Sequence, residues 1–283
     1  MMNLPPPDLP PPLPVPEPAR QAATAVVAAA PLNPYAPPLT DLPVKSKDAP
    51  DVYQVSESLV SVIKDSFAYP LRRGAWGMLG VSAVIVFLIS IAGFVPLVGL
   101  VVTLGGAAYV AAYYFEIVAH TVHGKAEVPP WPDLSSYWDD IIIPGVQMLG
   151  IFLISSLPLF AALWLFPEDK SDLYAPMVLL ASVLKWLYFP MATLAVICHG
   201  SAWAALPHRV VPALIRCLPG YLVCTGAFAL ADVVQWLGSE AMGMVPVLGW
   251  FLPWVAFMYV MIVQARLTGL IFLRYQERLP WGA

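Results

Sequence analysis

Two charged side chains lie inside long apolar stretches and carry the chemistry of an intramembrane site. Lys185 sits near the middle of the run between Asp172 and Arg209, and Asp232 sits within Cys217–Ser239. A lysine at the centre of such a run costs about 2.5–3.5 kcal/mol on insertion scales, so it should face a bundle interior or reach for a carboxylate. Asp232 lies about six residues, roughly 9 Å, from the outer end of its run, and Lys185 some 12 residues, roughly 18 Å, from the outer end of its own. Side chains tilt towards the helix N-terminus, which leans Lys185 towards Asp232. The pair could form a structural ion pair or line a path for a solute or proton.

Glu116, His120 and His123 form a second set. Spacings of four and three residues place them on one helical face, and carboxylate with imidazole suits zinc or another transition metal. The spacing matches no established metal motif, and histidines are ordinary at a membrane interface. His199 and His208 flank the neighbouring loop on the same side. A third set is the loop Pro129–Asp140, with Trp131, Asp133, Trp138, Asp139 and Asp140. Its prolines bar an early helix, and Asp133 or Ser135 can cap a later one. Leu134, Trp138, Ile141 and Ile142 would then share a face and leave Asp139 and Asp140 towards water, an interfacial elbow. Paired aspartates do acid–base work only where a pocket shifts their ionisation.

The elements that must position these groups follow from composition. The chain is 59% apolar and 11% charged, against roughly 45–50% and 25% in soluble domains. Such a chain cannot cover a water-facing surface and needs lipid as its solvent. A net charge of −4 and the absence of a basic stripe speak against nucleic acid. Cys198, Cys217 and Cys224 show neither metal spacing nor a disulfide framework and read as small hydrophobes. No cofactor motif is present. His-Glu-x-x-His and Gly-x-Ser-x-Gly are both missing, so no catalytic residue is assigned.

Residues 1–50 hold 15 of the 31 prolines and read as a disordered, polyproline-prone tail, a tether or a docking site for a proline-reading partner. The opening Met1-Met2-Asn3-Leu4 runs into proline without the basic and apolar parts of a signal peptide, so the first membrane helix is expected to drive insertion. Residues 51–73 predict an amphipathic helix along the membrane surface, with Val52, Val55, Leu59, Val62, Ile63 and Phe67 at helical spacing. Residues 74–273 predict an all-α, polytopic transmembrane bundle. Gly74–Phe115 has 42 residues without a charge, enough for two crossings of roughly 20 residues each. Ile141–Pro167, the stretch 173–208, Cys217–Ser239 and Ala241–Ala265 supply four more, with a re-entrant fold of 173–208 left open. Residues 274–283 form a C-terminal tail.

Lys64, Arg72, Arg73, Lys125, Arg209, Arg216, Arg266, Arg274 and Arg278 flank one side and only Lys170 the other, nine against one. That asymmetry places both ends in the cytoplasm. Trp76, Trp164, Trp236 and Trp250 fall near predicted helix ends, where amphipathic rings sit. In the second crossing Gly105, Ala108 and Ala112 line a face that permits close helix approach. Gly93-Phe94-Val95-Pro96-Leu97-Val98-Gly99 is echoed by Gly243-Met244-Val245-Pro246-Val247-Leu248-Gly249, and Tyr109-Val110 by Tyr259-Val260, all 150 residues on. A parallel repeat would do this, and so would two unrelated turns of a common kind.

The order Phe67-Ala68-Tyr69-Pro70-Leu71-Arg72, Tyr109 through Phe115, Gly124, Pro130-Trp131-Pro132-Asp133, Trp138-Asp139-Asp140, Tyr188-Phe189-Pro190-Met191 and Tyr275–Leu279 resembles a family of bacterial multi-pass membrane proteins of planctomycete and myxobacterial type, a domain of unknown function. The likeness covers about residues 60–280 and implies a bacterial inner-membrane location without an activity. Asp172-Leu173-Tyr174-Ala175-Pro176 is similar to the Asp-Leu-Tyr-Gly-Pro motif of Yip-type trafficking proteins, with alanine in place of glycine. The expected role is a non-enzymatic organiser or accessory of a membrane process, with cytoplasmic or membrane protein partners. The alternatives are a solute or ion transporter using Lys185 and Asp232, or a membrane-embedded enzyme.

Overall fold

The computed structural model describes residues 58–72, 75–95, 97–132, 136–168, 172–243, 245 and 248–279, all within the unit Tyr35–Ala283. The expectations for residues 1–50 and 51–57, and those for Arg73, Asp133 and Lys170, lie outside the described residues. Among the described residues seven α-helices follow in order: α1 Leu59–Ala68, α2 Ala75–Ala92, α3 Val98–Val122, α4 Ile143–Leu165, α5 Tyr174–His199, α6 Pro207–Gly243 and α7 Leu248–Tyr275. A π-turn over Trp138–Ile142 leads into α4. Helices α2 to α7 are each long and apolar enough to cross a bilayer, and the chain is a multi-pass membrane protein.

Lipid explains why the crossings outlast their helix breakers. Pro158, Pro190, Pro212, Pro219 and Pro253 all sit inside helices. In hydrocarbon no water competes for the backbone, and neighbouring helices accommodate the group that a proline frees. For this reason α6 runs through two prolines and extends 37 residues, about 55 Å at 1.5 Å per residue. The apolar run Cys217–Ser239 underestimates it at both ends. The stretch 173–208 crosses once, as α5, and then forms a short 3-10 turn over Ala202–Ala205.

Helix α7 is the hub. It packs against α1, α2, α3, α5 and α6, and its span is 78% buried where no other span exceeds 50%. Glycine sets how closely its neighbours come. A Cβ on Gly269 would lie 2.4 Å from Thr121 Cβ on α3, and one on Gly145 of α4 would lie 2.6 Å from Ala108 Cβ. The small-residue face read on α3 therefore receives α4. Replacing Gly145 or Gly269 by leucine is expected to cost about 1–3 kcal/mol by overpacking, read as thermal unfolding in detergent. Gly77→Leu, where a Cβ meets nothing within 4 Å, should be silent.

The two hairpins share a register. Helices α3 and α7 begin at Val98 and Leu248, and α2 and α6 end at Ala92 and Gly243. In the first turn Val95 N–H donates to Ala92 O (3.0 Å) and Gly99 N–H to Val95 O (2.6 Å); in the second, Val245 donates to Met242 O (3.0 Å) and Gly249 to Val245 O (2.8 Å). Both bonds recur 150 residues on. Tyr109 and Tyr259 each send a hydroxyl to a backbone carbonyl of a flanking segment, Pro132 and Phe67 respectively.

Helix α1 runs antiparallel along α7. Leu59 meets the Gly220–Tyr275 contact, Asp65 faces Arg266, and Phe67 O accepts from Tyr259 Oη at 2.7 Å. Its apolar stripe has a protein groove to fill, which lipid headgroups would fill less well.

Candidate functional site

The densest polar site lies where α3 and α7 end, at the connection from α3 to α4. Residues Lys125–Pro132 form a strap whose successive carbonyls are taken by side-chain donors. Arg266 Nη1 donates to Lys125 O at 2.7 Å, Arg72 Nη1 to Ala126 O at 3.0 Å, and Tyr69 Oη to Glu127 O at 2.7 Å. Pro129, Pro130 and Pro132 bring no N–H of their own. The strap is thus rich in acceptors and poor in donors, and arginine and tyrosine supply what it lacks. Irregular backbone inside a membrane domain is stable only where such partners exist.

A small charged cluster holds these donors. Asp65 accepts from Arg72 Nη2 through Oδ1, and its Oδ2 lies 3.5 Å from Arg266 Nη2. Both guanidinium groups also face the Tyr69 ring, 4.6 Å from its centroid for Arg266 and 5.6 Å for Arg72, close enough for cation–π attraction. Arg266 is fully buried and donates further to Thr121 Oγ1 at 3.1 Å. The sequence places it among the flanking positive residues; the fold puts it inside α7. Burial pushes the Tyr69 hydroxyl up to about 12, with Arg266 and Arg72 pulling the other way. A raised folded value means that stability from neutral Tyr69 is complete below its ordinary value of 10 and is lost as pH rises towards about 12. Alkaline unfolding should therefore begin later in pH for Tyr69→Phe than for the native chain, as followed by far-ultraviolet circular dichroism.

Beyond the clamp the strap folds back along α3. Trp131 stacks on Tyr113 (4.6 Å, 16°) and Tyr109 (5.6 Å, 8°), and Tyr109 Oη donates to Pro132 O at 3.4 Å. Those tyrosines precede the end of α3 at Val122 by about 14 and 20 Å of helix. A correction concerns the strap's exit. Trp138 is 68% exposed while Ile141 is fully buried, so they do not share a face. The π-turn over Trp138–Ile142 shifts the side-chain spacing that the α-helical reading assumed. Asp139 is exposed and Asp140 half-buried.

Lys185 and Asp232 do not pair. Asp232 accepts from Trp186 Nε1 (2.9 Å) and Gln264 Nε2 (2.6 Å), one on each oxygen. Lys185 Nζ lies over the Phe152 ring of α4 at 4.8 Å from its centroid. The extension of α6 to Gly243 puts Asp232 11 residues in, about 16 Å, and at that depth the next residue along α5 reaches it. Thr268 Oγ1 continues the polar line, 2.8 Å from Gln264 O and 3.2 Å from Tyr114 Oη. Trp186, Gln264 and Tyr114 escaped the sequence reading; a search of the apolar runs for uncharged donors would have found them.

The metal set is not assembled. His120 Nε2 lies 3.2 Å from Glu116 Oε1, but His123 turns back and its Nδ1 contacts Ala119 O at 2.7 Å. His199 makes the same contact with Ala195 O, and His208 is exposed. Among the described residues no three His, Cys, Asp or Glu side chains are placed to hold a metal ion.

Comparison with family models, curated proteins and solved structures gives no match. The clamp can fix a loop in one conformation, and the Asp232 cluster can lock α5, α6 and α7 together.

Proposed function

We propose that the chain is a non-enzymatic integral membrane protein that organises or assists a membrane process, presenting the strap to a protein partner. One observation carries this reading. The strap's backbone is fixed by Arg266, Arg72 and Tyr69, while its own Lys125, Ala126, Glu127 and Pro130 side chains are exposed. A loop ordered before contact loses little entropy on binding, which favours recognition. With buried Arg266 set aside, eight flanking positive residues against one support the strap and both termini on the cytoplasmic side of a bacterial inner membrane.

The test is a photoreactive amino acid at position 125 or 127 in living cells. A discrete crosslinked complex is the expected product, with the same residue at exposed position 97 of the α2–α3 turn giving none. The rival is a transporter built on the two matching hairpins, with Lys185 and Asp232 by its path. It predicts solute or ion flux in vesicles holding the purified protein alone. Such flux, with no crosslink at the strap, would overthrow the present reading.

A further inference from the structure

The first four turns of α6 have three distinct faces. Val210, Ala213, Leu214, Cys217 and Tyr221 are buried. Val211, Ile215, Leu218 and Leu222 are exposed and apolar. Arg209 and Arg216, seven residues apart and so on one side of the helix, are exposed. Gly220 lies on that basic side, one turn beyond Arg216. There Tyr275 of α7 reaches α6: a Cβ on Gly220 would overlap the Tyr275 hydroxyl, with Leu59 of α1 3.5 Å away. Arg278 and Arg274 both lie over the Tyr275 ring, at 5.8 and 6.0 Å from its centroid. The joint therefore gathers arginines from two helices. Among the described residues Arg209, Arg216 and Arg278 form no ion pair, and the nearest acidic residue in sequence, Glu277, points to solvent.

From this arrangement we infer that the α6–α7 joint binds the phosphate headgroup of an anionic phospholipid, with the acyl chains along exposed Val223, Leu230 and Val234, which follow Arg216 on the same side of α6. Guanidinium forks match phosphate oxygens in geometry as well as charge, and basic recesses between membrane helices suit such headgroups. The exposed apolar stripe beside the arginines selects a lipid over a soluble phosphate, which would use the arginines and ignore the stripe.

The experiment is native mass spectrometry of the full chain released from vesicles of mixed phosphatidylglycerol and phosphatidylcholine. The native protein should retain phosphatidylglycerol preferentially. In R216Q/R278Q that preference should fall by about fivefold for each arginine removed, while R216K/R278K should keep most of it. A native protein with no preference, or a glutamine variant that keeps it in full, overturns the site. Displacement of the retained lipid by glycerol 3-phosphate at equal concentration would also overturn it, assigning the joint to a soluble phosphate. If the glutamine variant does not fold, the preference of the native chain and its loss in raised salt decide.

Discussion

Arg266→Met is expected to lower the stability of the membrane domain by about 2–4 kcal/mol, from an unsatisfied buried carbonyl at about 1–3 kcal/mol and a lost cation–π contact at about 0.5–2 kcal/mol. Arg266 is wholly buried and joins four groups at once: Lys125 O, Thr121 Oγ1, Asp65 and the Tyr69 ring. Methionine fills much of the volume but donates nothing. Thr121 keeps its own bond to Ile117 O, and Asp65 keeps Arg72, so the unrelieved loss falls on Lys125 O and on the ring contact. Arg266→Lys should recover part of the loss, because one ammonium cannot span acceptors that a planar fork reaches together. Thermal unfolding in detergent measures the cost. The local consequence is read by trypsin, which should cut after exposed Lys125 much faster in the methionine variant. Equal cleavage of variant and native chain would show that the strap is held by something else.

That clamp marks the limit of what sequence reveals here. The crossings are legible because hydrocarbon excludes charge, so a run such as Gly74–Phe115 announces helices without further information. The hairpin turns are legible for a similar reason: proline and glycine in Gly93–Gly99 fall where α2 stops at Ala92 and α3 starts at Val98. The strap is not legible, because its binding groups are carbonyls, which every residue carries. Nothing in Lys125-Ala126-Glu127 distinguishes an acceptor taken by arginine from one facing water. Arg266 misleads for a related reason. It stands one residue past an apolar run, where a flanking position and a buried one look alike until the neighbouring helix is known. Lys185 and Asp232 were found by their charge, but a helix end set four residues too early placed them at unequal depths and paired them wrongly. The polar partners Trp186 and Gln264 carry no charge and so raised no signal.

The corrected pairing makes its own expectation, the second large one. Asp232→Leu should cost about 2–4 kcal/mol, since it strands the Trp186 and Gln264 donors in a dry bundle at about 1–3 kcal/mol each, partly offset by relief of the carboxylate's own desolvation. Asp232→Asn should cost far less. Its carbonyl can accept from Trp186, and the Gln264 amide can turn to accept from the new NH₂ group. Lys185→Met is the deciding variant. With Lys185 Nζ over the Phe152 ring and in no ion pair with Asp232, removing its charge leaves the carboxylate's two hydrogen bonds intact, so stability should change little. An ion pair would behave in the opposite way: Lys185→Met would strand Asp232 and destabilise as strongly as Asp232→Leu, and the double variant would be no worse than either. Unfolding of the three variants and the double therefore separates the two geometries, and equal losses at both positions would refute the one described.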